Sequence, residues 1–157
     1  MTQALTNNHA HAMDRMYRLT RHVYDLSRRY YLLGRDRLIA QMQTQPGDHV
    51  LEMGCGTARN LIKFNKRHPG RHLYGLDAAS VMLETAQKSL AKHRCDAKLV
   101  CAYAENLDHQ KLFAQQEKFD AIFFSYSLSM MPTWPDAIDA ALANLKPGGK
   151  LYVVDFW

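Results

Sequence analysis

The stretch Leu51-Glu52-Met53-Gly54-Cys55-Gly56-Thr57-Ala58-Arg59-Asn60 decides the fold. It joins a short apolar run, His49 to Met53, to a helical pattern over residues 57–68 that Pro69-Gly70 closes. Glycines at such a junction permit a tight turn and let backbone N–H groups approach a ligand. The dinucleotide fingerprint G-x-G-x-x-G requires a third glycine at position 59, where Arg59 stands. Two residues before the first glycine is Glu52, whose carboxylate suits a cationic ligand better than a pyrophosphate. The pattern is therefore E-x-G-x-G-x-A, with Ala58 as its third small residue.

Outward from this turn, the rhythm repeats. Arg71 to Leu76 reads as a second strand, and Ser80 to His93 as a helix with Met82, Ala86 and Leu90 on one stripe. Lys98 to Ala102 and Phe119 to Phe124 read as the third and fourth strands. A helix over Thr133 to Leu145 opens with the capping-box pair Thr133 and Asp136. Lys146-Pro147-Gly148-Gly149 stops that helix, and Lys150 to Asp155 is a fifth strand. Strand and helix alternating at steps of roughly 25 residues predict crossover units and a parallel sheet. The expected fold is α/β, a Rossmann-like doubly wound sheet of five strands with an N-terminal helical cap. Asp77 ends the second strand about 20 residues after the glycines, where an acidic side chain accepts hydrogen bonds from ribose hydroxyls. The competing reading is that Asp77 only caps the helix beginning near Ser80.

Toward the N-terminus the expectation is a loose segment over 1–11, a helical cap over 12–45 and the sheet domain over 46–157. Seven arginines against three aspartates in residues 1–45 supply +4 of the net +5. So local a charge favours a local anionic partner, such as a membrane surface, over general coating of nucleic acid. A solvated helix face explains it equally well. No stretch reaches the length of a spanning helix, and the start carries no signal-peptide pattern. Three cysteines without a C-x-x-C pair read as reduced thiols of a cytoplasmic protein, and the absence of an H-E-x-x-H motif predicts no structural metal.

From about Pro46 to Val154 the chain resembles the class I S-adenosylmethionine-dependent methyltransferases, the run Leu145-Lys146-Pro147-Gly148-Gly149 included. The resemblance implies S-adenosylmethionine as cofactor. Glu52 would lie near its methionine part and sulfonium, Gly54, Cys55 and Gly56 beneath it, and Asp77 on the ribose. Ala78 and Met82 would line the adenine. Family members often carry an Asp-Ala pair after strand three. Tyr103-Ala104 stands there instead, so recognition passes through backbone or through Glu105. Ser125, at the end of strand four, completes the cofactor set. The resemblance also implies two further strands, so five strands would leave the fifth with an open edge, the expectation for a C-terminally truncated piece.

A second resemblance covers residues 12–62. Met13-Asp14-Arg15-Met16-Tyr17 and the run from Tyr24 to Ile39 look like the start of betaine-lipid N-methyltransferases, which trimethylate the amine of diacylglyceryl homoserine. On that resemblance Tyr30, Tyr31 and Tyr126 would present ring faces to ammonium or sulfonium cations. Arg35 would pair with the carboxylate of the cofactor or of the homoserine head group. No catalytic base is singled out. Other acceptors, a quinone ring or a small amine, and a non-catalytic cofactor-binding role remain open.

Overall fold

The structure, a computed structural model, describes residues 33–156. The expected loose segment 1–11 and most of the expected cap, residues 12–32, lie outside the described residues. Strands β1 (His49–Met53), β2 (His72–Asp77), β3 (Lys98–Cys101), β4 (Phe119–Ser125) and β5 (Leu145–Val154) form one sheet of order β3-β2-β1-β4-β5. Every pairing is parallel. The helices are α1 (Leu33–Gln41), α2 (Arg59–Arg67), α3 (Ser80–Lys92), α4 (His109–Phe113) and α5 (Trp134–Ala143). The chain runs outward from β1 through β2 to β3, then crosses back to β4. The doubly wound fold expected from the sequence is the fold observed.

Both faces of the sheet are covered, which is why its central strands are apolar without alternation. Successive side chains point to opposite faces. Val50, Leu73, Ala121 and Phe123 face a core completed by Ile39 and Met42 near α1, Leu61 and Phe64 of α2, and Leu83, Ala86 and Leu90 of α3. Leu51, Met53, Leu76, Ile122 and Phe124 face a second core with Phe113 of α4 and Ala137 and Ala141 of α5. Ile39 and Met42 are buried, and His68 meets the Ile39 carbonyl through Nε2 at 2.8 Å. Residues 35–45, expected in the cap, thus pack with the sheet, and the compact unit begins at Arg35.

Three local readings of the sequence need correction. The run Lys146 to Gly149 does not separate helix from strand, because β5 already begins at Leu145. The register instead jumps from Phe119↔Leu145 to Ala121↔Lys150, a bulge that holds Pro147 and Gly148 at φ +78°. Proline is tolerated there because β5, among the described residues, pairs with β4 alone and needs no complete ladder. Second, Thr133 stands at the N-cap of α5, but its side chain makes no capping bond. Third, the stretch between β3 and β4 holds a 3₁₀ turn, Ala104–Asn106, and helix α4, neither anticipated from the sequence. Asp108 caps α4 by accepting from the Gln110 and Lys111 N–H groups, both at 3.0 Å. Buried Asn144 then ties α5 to this stretch: its amide donates to the carbonyls of Leu107 and Ala140, and its oxygen accepts from the His109 N–H.

Gly75 of β2 sits opposite Glu52 and Leu99 in the ladder. A Cβ there would lie 2.7 Å from Leu99 Cδ2, 2.8 Å from Cys55 Sγ and 3.0 Å from Leu61 Cδ1. Three side chains converge on the missing methyl. Gly75→Ala should destabilise the chain by about 1–3 kcal/mol through overpacking, read as a lower urea midpoint.

Candidate cofactor and acceptor site

In an open doubly wound sheet the ligand crevice lies beyond the carboxyl ends of the strands where the winding reverses. Here that point falls between β1 and β4. The glycine turn follows β1, and Ser125-Tyr126-Ser127 closes β4 beside it. The two segments touch. Ser127 Oγ donates to the Met53 carbonyl at 2.8 Å, and a Cβ on Gly54 would lie 2.6 Å from Ser127 Cβ. Gly54 at φ +76° and Gly56 at φ +52° hold the turn in a conformation that favours glycine.

The sequence suggested backbone N–H groups open to a ligand. The structure places most of them inside the protein's own bonding. Gly54 and Cys55 both donate to the Leu76 carbonyl, at 2.7 and 3.0 Å. Gly56 donates to Asp77 Oδ2 at 2.8 Å, and Ala58 to the Cys55 carbonyl at 2.9 Å. A phosphate-binding turn points such donors at its ligand. This one does not.

Beneath the turn is the reverse provision, unpartnered acceptors. Strand alternation turns Glu52, like Val50, toward α2. Glu52 is 1% exposed. Asn60, in the first turn of α2, donates from Nδ2 to Glu52 Oε1 at 2.6 Å. Glu52 Oε2 and Asn60 Oδ1 are buried and, among the described residues, unpartnered. Burial pushes the Glu52 carboxyl up to about 8, against the Asn60 bond and the Arg35 charge; the Asp77 charge adds to the rise. Arg35 of α1 is itself buried and meets Asp36 Oδ1 through Nε at 3.3 Å.

Asp77 ends β2 as expected. Its oxygens accept from Gly56 N–H and from Ala79 N–H, the latter at 2.9 Å just before α3. These two bonds fix the turns on either side, and they occupy two of the about four acceptor positions a carboxylate offers. Ala78 and Met82 are exposed beside it, and Tyr103 is exposed after β3. The two loops meet where the Ala102 N–H donates to the Asp77 carbonyl at 3.1 Å. Two side chains point elsewhere than expected. Ala104 is buried in the second core, and the Cys55 thiol is buried in the first beside Leu61. Burial pushes that thiol well above its usual range, the Glu52 and Asp77 charges adding to it. From these two, only backbone can face a ligand.

On the β4 side, the Ser125 hydroxyl is buried without a partner among the described residues. Tyr126 adopts φ +53°, an uncommon conformation for a bulky residue, and its ring lies 4.8 Å from that of Phe156. Asp155 fixes the turn that follows, accepting from the Ser129 hydroxyl at 2.5 Å and the Ser129 N–H at 3.0 Å. Tyr30 and Tyr31 lie outside the described residues. Asn60 and Ser127 are the site residues that sequence reasoning passed over. Asn60 had one signal, a polar side chain on the apolar face of α2 one turn past the glycines. Ser127 had none. Among the described residues no group of three or more His, Cys, Asp or Glu side chains is placed to hold a metal, and no helix is long and apolar enough to cross a membrane.

Comparison with known proteins agrees with this fold. The 27-O-demethylrifamycin SV methyltransferase of Amycolatopsis mediterranei is 29% identical over 121 residues, covering 77% of this chain and 43% of that protein. The ubiquinone/menaquinone biosynthesis C-methyltransferase UbiE of Ruegeria is 26% identical over 122 residues, covering 78% and 48%. The chain thus spans about half the length of these curated relatives. Among solved structures the [4+2]-cyclase SpnF superposes with a TM-score of 0.69 at 24% identity, covering 77% of this chain and 43% of that one. A cyclase on the same scaffold shows that the fold alone does not name a reaction. Residues 50–149, from β1 into β5, match the family described as a methyltransferase domain, and the chain belongs to that family in its class I, S-adenosylmethionine-dependent form.

Proposed function

We propose that this chain binds S-adenosylmethionine at the β1/β4 crevice and transfers its methyl group to an amine, with the lipid-linked amine of diacylglyceryl homoserine as the acceptor. The observation that carries the cofactor reading is the unpartnered, buried Glu52 oxygen under a turn most of whose N–H groups are already donated. Such a site rewards a ligand that brings cationic donors. An amino-acid ammonium is one, and Arg35 is the complementary cation for the adjoining carboxylate. Asp77 keeps two acceptor positions for ribose hydroxyls. The residues present therefore fit the cofactor.

When bound, the cofactor supplies an electrophilic methyl on a sulfonium. The chain's part is alignment of the acceptor, and a neutral amine needs no dedicated base. Near the β4 end Asp155 is held by Ser129 and the Phe156 N–H, so the acceptor's ammonium would shed its proton to solvent before each transfer rather than to this carboxylate. Tyr126 is the described aromatic face for a cation. The resemblance of residues 12–62 to betaine-lipid enzymes supports the lipid-linked acceptor, and the arginines of residues 1–45 would meet anionic head groups at a membrane surface. A second reading, a quinone-type ring, is favoured by the name of the UbiE relative.

Incubation with labelled S-adenosylmethionine and either diacylglyceryl homoserine or a demethylated quinol separates the two readings. Label in the lipid amine is expected, and label in the ring alone would replace that acceptor. Asp77→Ala should weaken S-adenosylhomocysteine binding by roughly 10-fold or more, since hydrogen bonds to a charged group contribute about 1.5–3 kcal/mol. Calorimetry reads it. Folding raises Glu52 from its ordinary 4.5 to about 8, so the neutral form is preferred and stability is lost as pH climbs between those values. Glu52→Gln removes that loss. Without ligand its Tm should exceed the wild type's by more at pH 8 than at pH 5.

A further inference from the structure

Asn60 is the one polar side chain described as bonding Glu52, and it comes from a different element, the first turn of α2. That bond occupies Glu52 Oε1 and the amide nitrogen of Asn60. It leaves one oxygen on each partner, Glu52 Oε2 and Asn60 Oδ1, buried and unpartnered among the described residues. Leaving two acceptors dry and unused is costly, at roughly 1–3 kcal/mol each, unless a ligand or proton completes them. An ammonium has three donors and no acceptor, so it can satisfy both oxygens at once. A single hydroxyl has one donor and a fully ionised phosphate none.

We propose that Asn60 is a positioning residue for the cofactor's amino-acid end, clamping Glu52 so that the two free oxygens seat an ammonium. A buried, half-paired carboxyl holds a proton while the site is empty, and cofactor binding expels it. This rests on the cofactor reading above. The groups that set the protonation of Glu52 come from every side. Arg35 of α1 favours its charged form, as does the Asn60 amide of α2. Asp77 of β2 disfavours it. Cys55 in the turn is held as the neutral thiol and adds no charge. From the ladder neighbours directly opposite, Gly75 of β2 and Phe123 of β4, nothing titrates. Burial is the largest influence and keeps the proton on Glu52 while the site is empty. An incoming ammonium reverses the balance, because a charge pair with hydrogen bonds replaces a lone buried charge. The proton leaves to solvent, and the bound pair is neutral overall.

The test is calorimetry of S-adenosylhomocysteine binding to the whole chain at several pH values, in buffers of different ionisation enthalpy. A carboxyl near 8 releases about 0.9 proton on binding at pH 7, and affinity should rise about tenfold per unit between pH 6 and 7. Binding of 5′-methylthioadenosine, the same nucleoside thioether without the amino-acid end, should release none. Asn60→Ala should lose affinity for S-adenosylhomocysteine at pH 7 and recover part of it at higher pH, with 5′-methylthioadenosine affinity within about twofold of wild type. Should the alanine variant fail to fold, the near-isosteric Asn60→Asp carries the test. Its carboxyl shares one proton with Glu52, so it should bind at pH 7 while releasing less than half a proton. Wild-type binding without proton release would overturn the expulsion, and superimposable pH profiles for wild type and both variants would overturn the role of Asn60; either result leaves the cofactor reading standing. No binding of S-adenosylhomocysteine to the folded wild type overturns the cofactor reading itself.

Discussion

A carboxyl group buried at the end of the central strand, held by a single amide, is the constraint on which the rest of the site depends. Glu52 occupies a position that an apolar residue would fill at no electrostatic cost, next to Phe123 and beneath α2. Taking an unpaired charge out of water costs several kcal/mol, so the group keeps its proton or finds a cation. Burial keeps the proton on it, and among the described residues no cation pairs with it directly. Asn60 supplies one bond and Arg35 a field, and the second oxygen is left over. That incompleteness is local. The neighbouring backbone is closely bonded, with the turn anchored by two N–H groups on one carbonyl of β2 and a third on the Asp77 side chain. A rigid frame around a carboxyl that lacks a full set of partners is what a preformed ligand seat requires.

The same frame connects the cofactor side to the acceptor side. Ser127 reaches from the end of β4 to the Met53 carbonyl, and Gly54 leaves the room this approach needs. One residue earlier, Tyr126 is forced through a left-handed backbone conformation that nothing in its side chain favours. Strain of this kind persists where surrounding structure over-determines it and clusters at functional positions. Here the determinants are visible: the Tyr126 N–H bond to the Val154 carbonyl before it and the Asp155–Ser129 clamp after it. The same contacts set the ring beside that of Phe156.

The sheet was legible because its physics is local. Runs such as Phe119–Phe124 are apolar on both faces, and that pattern means a buried parallel strand wherever it occurs. The places of Glu52, the glycine turn and Asp77 at the ends of β1 and β2 were legible because the strand pattern fixes where those strands stop. The direction in which the turn's N–H groups point was not, since Leu76 becomes an acceptor for them only after β1 and β2 are in register. Helix α4 escaped notice because five residues carry no periodicity, and it stands on the Asp108 cap and on Asn144, 35 residues away from His109. Pro147 and Gly148 read as a helix stop because a bulge on an edge strand uses the same residues. Asn60 was the costliest omission. Its polarity on a buried helix face has meaning only once Glu52 is known to lie beneath it.

The account's central claim is that the crevice is finished by a cation on the ligand. A crystal structure with S-adenosylhomocysteine measures this directly. The account predicts the ligand's ammonium within about 2.7–3.0 Å of Glu52 Oε2, the range of a charge-assisted bond, with the Asn60 bond to Oε1 retained. An ammonium turned to solvent, with Glu52 still closed beneath the turn and its second oxygen empty, would contradict it.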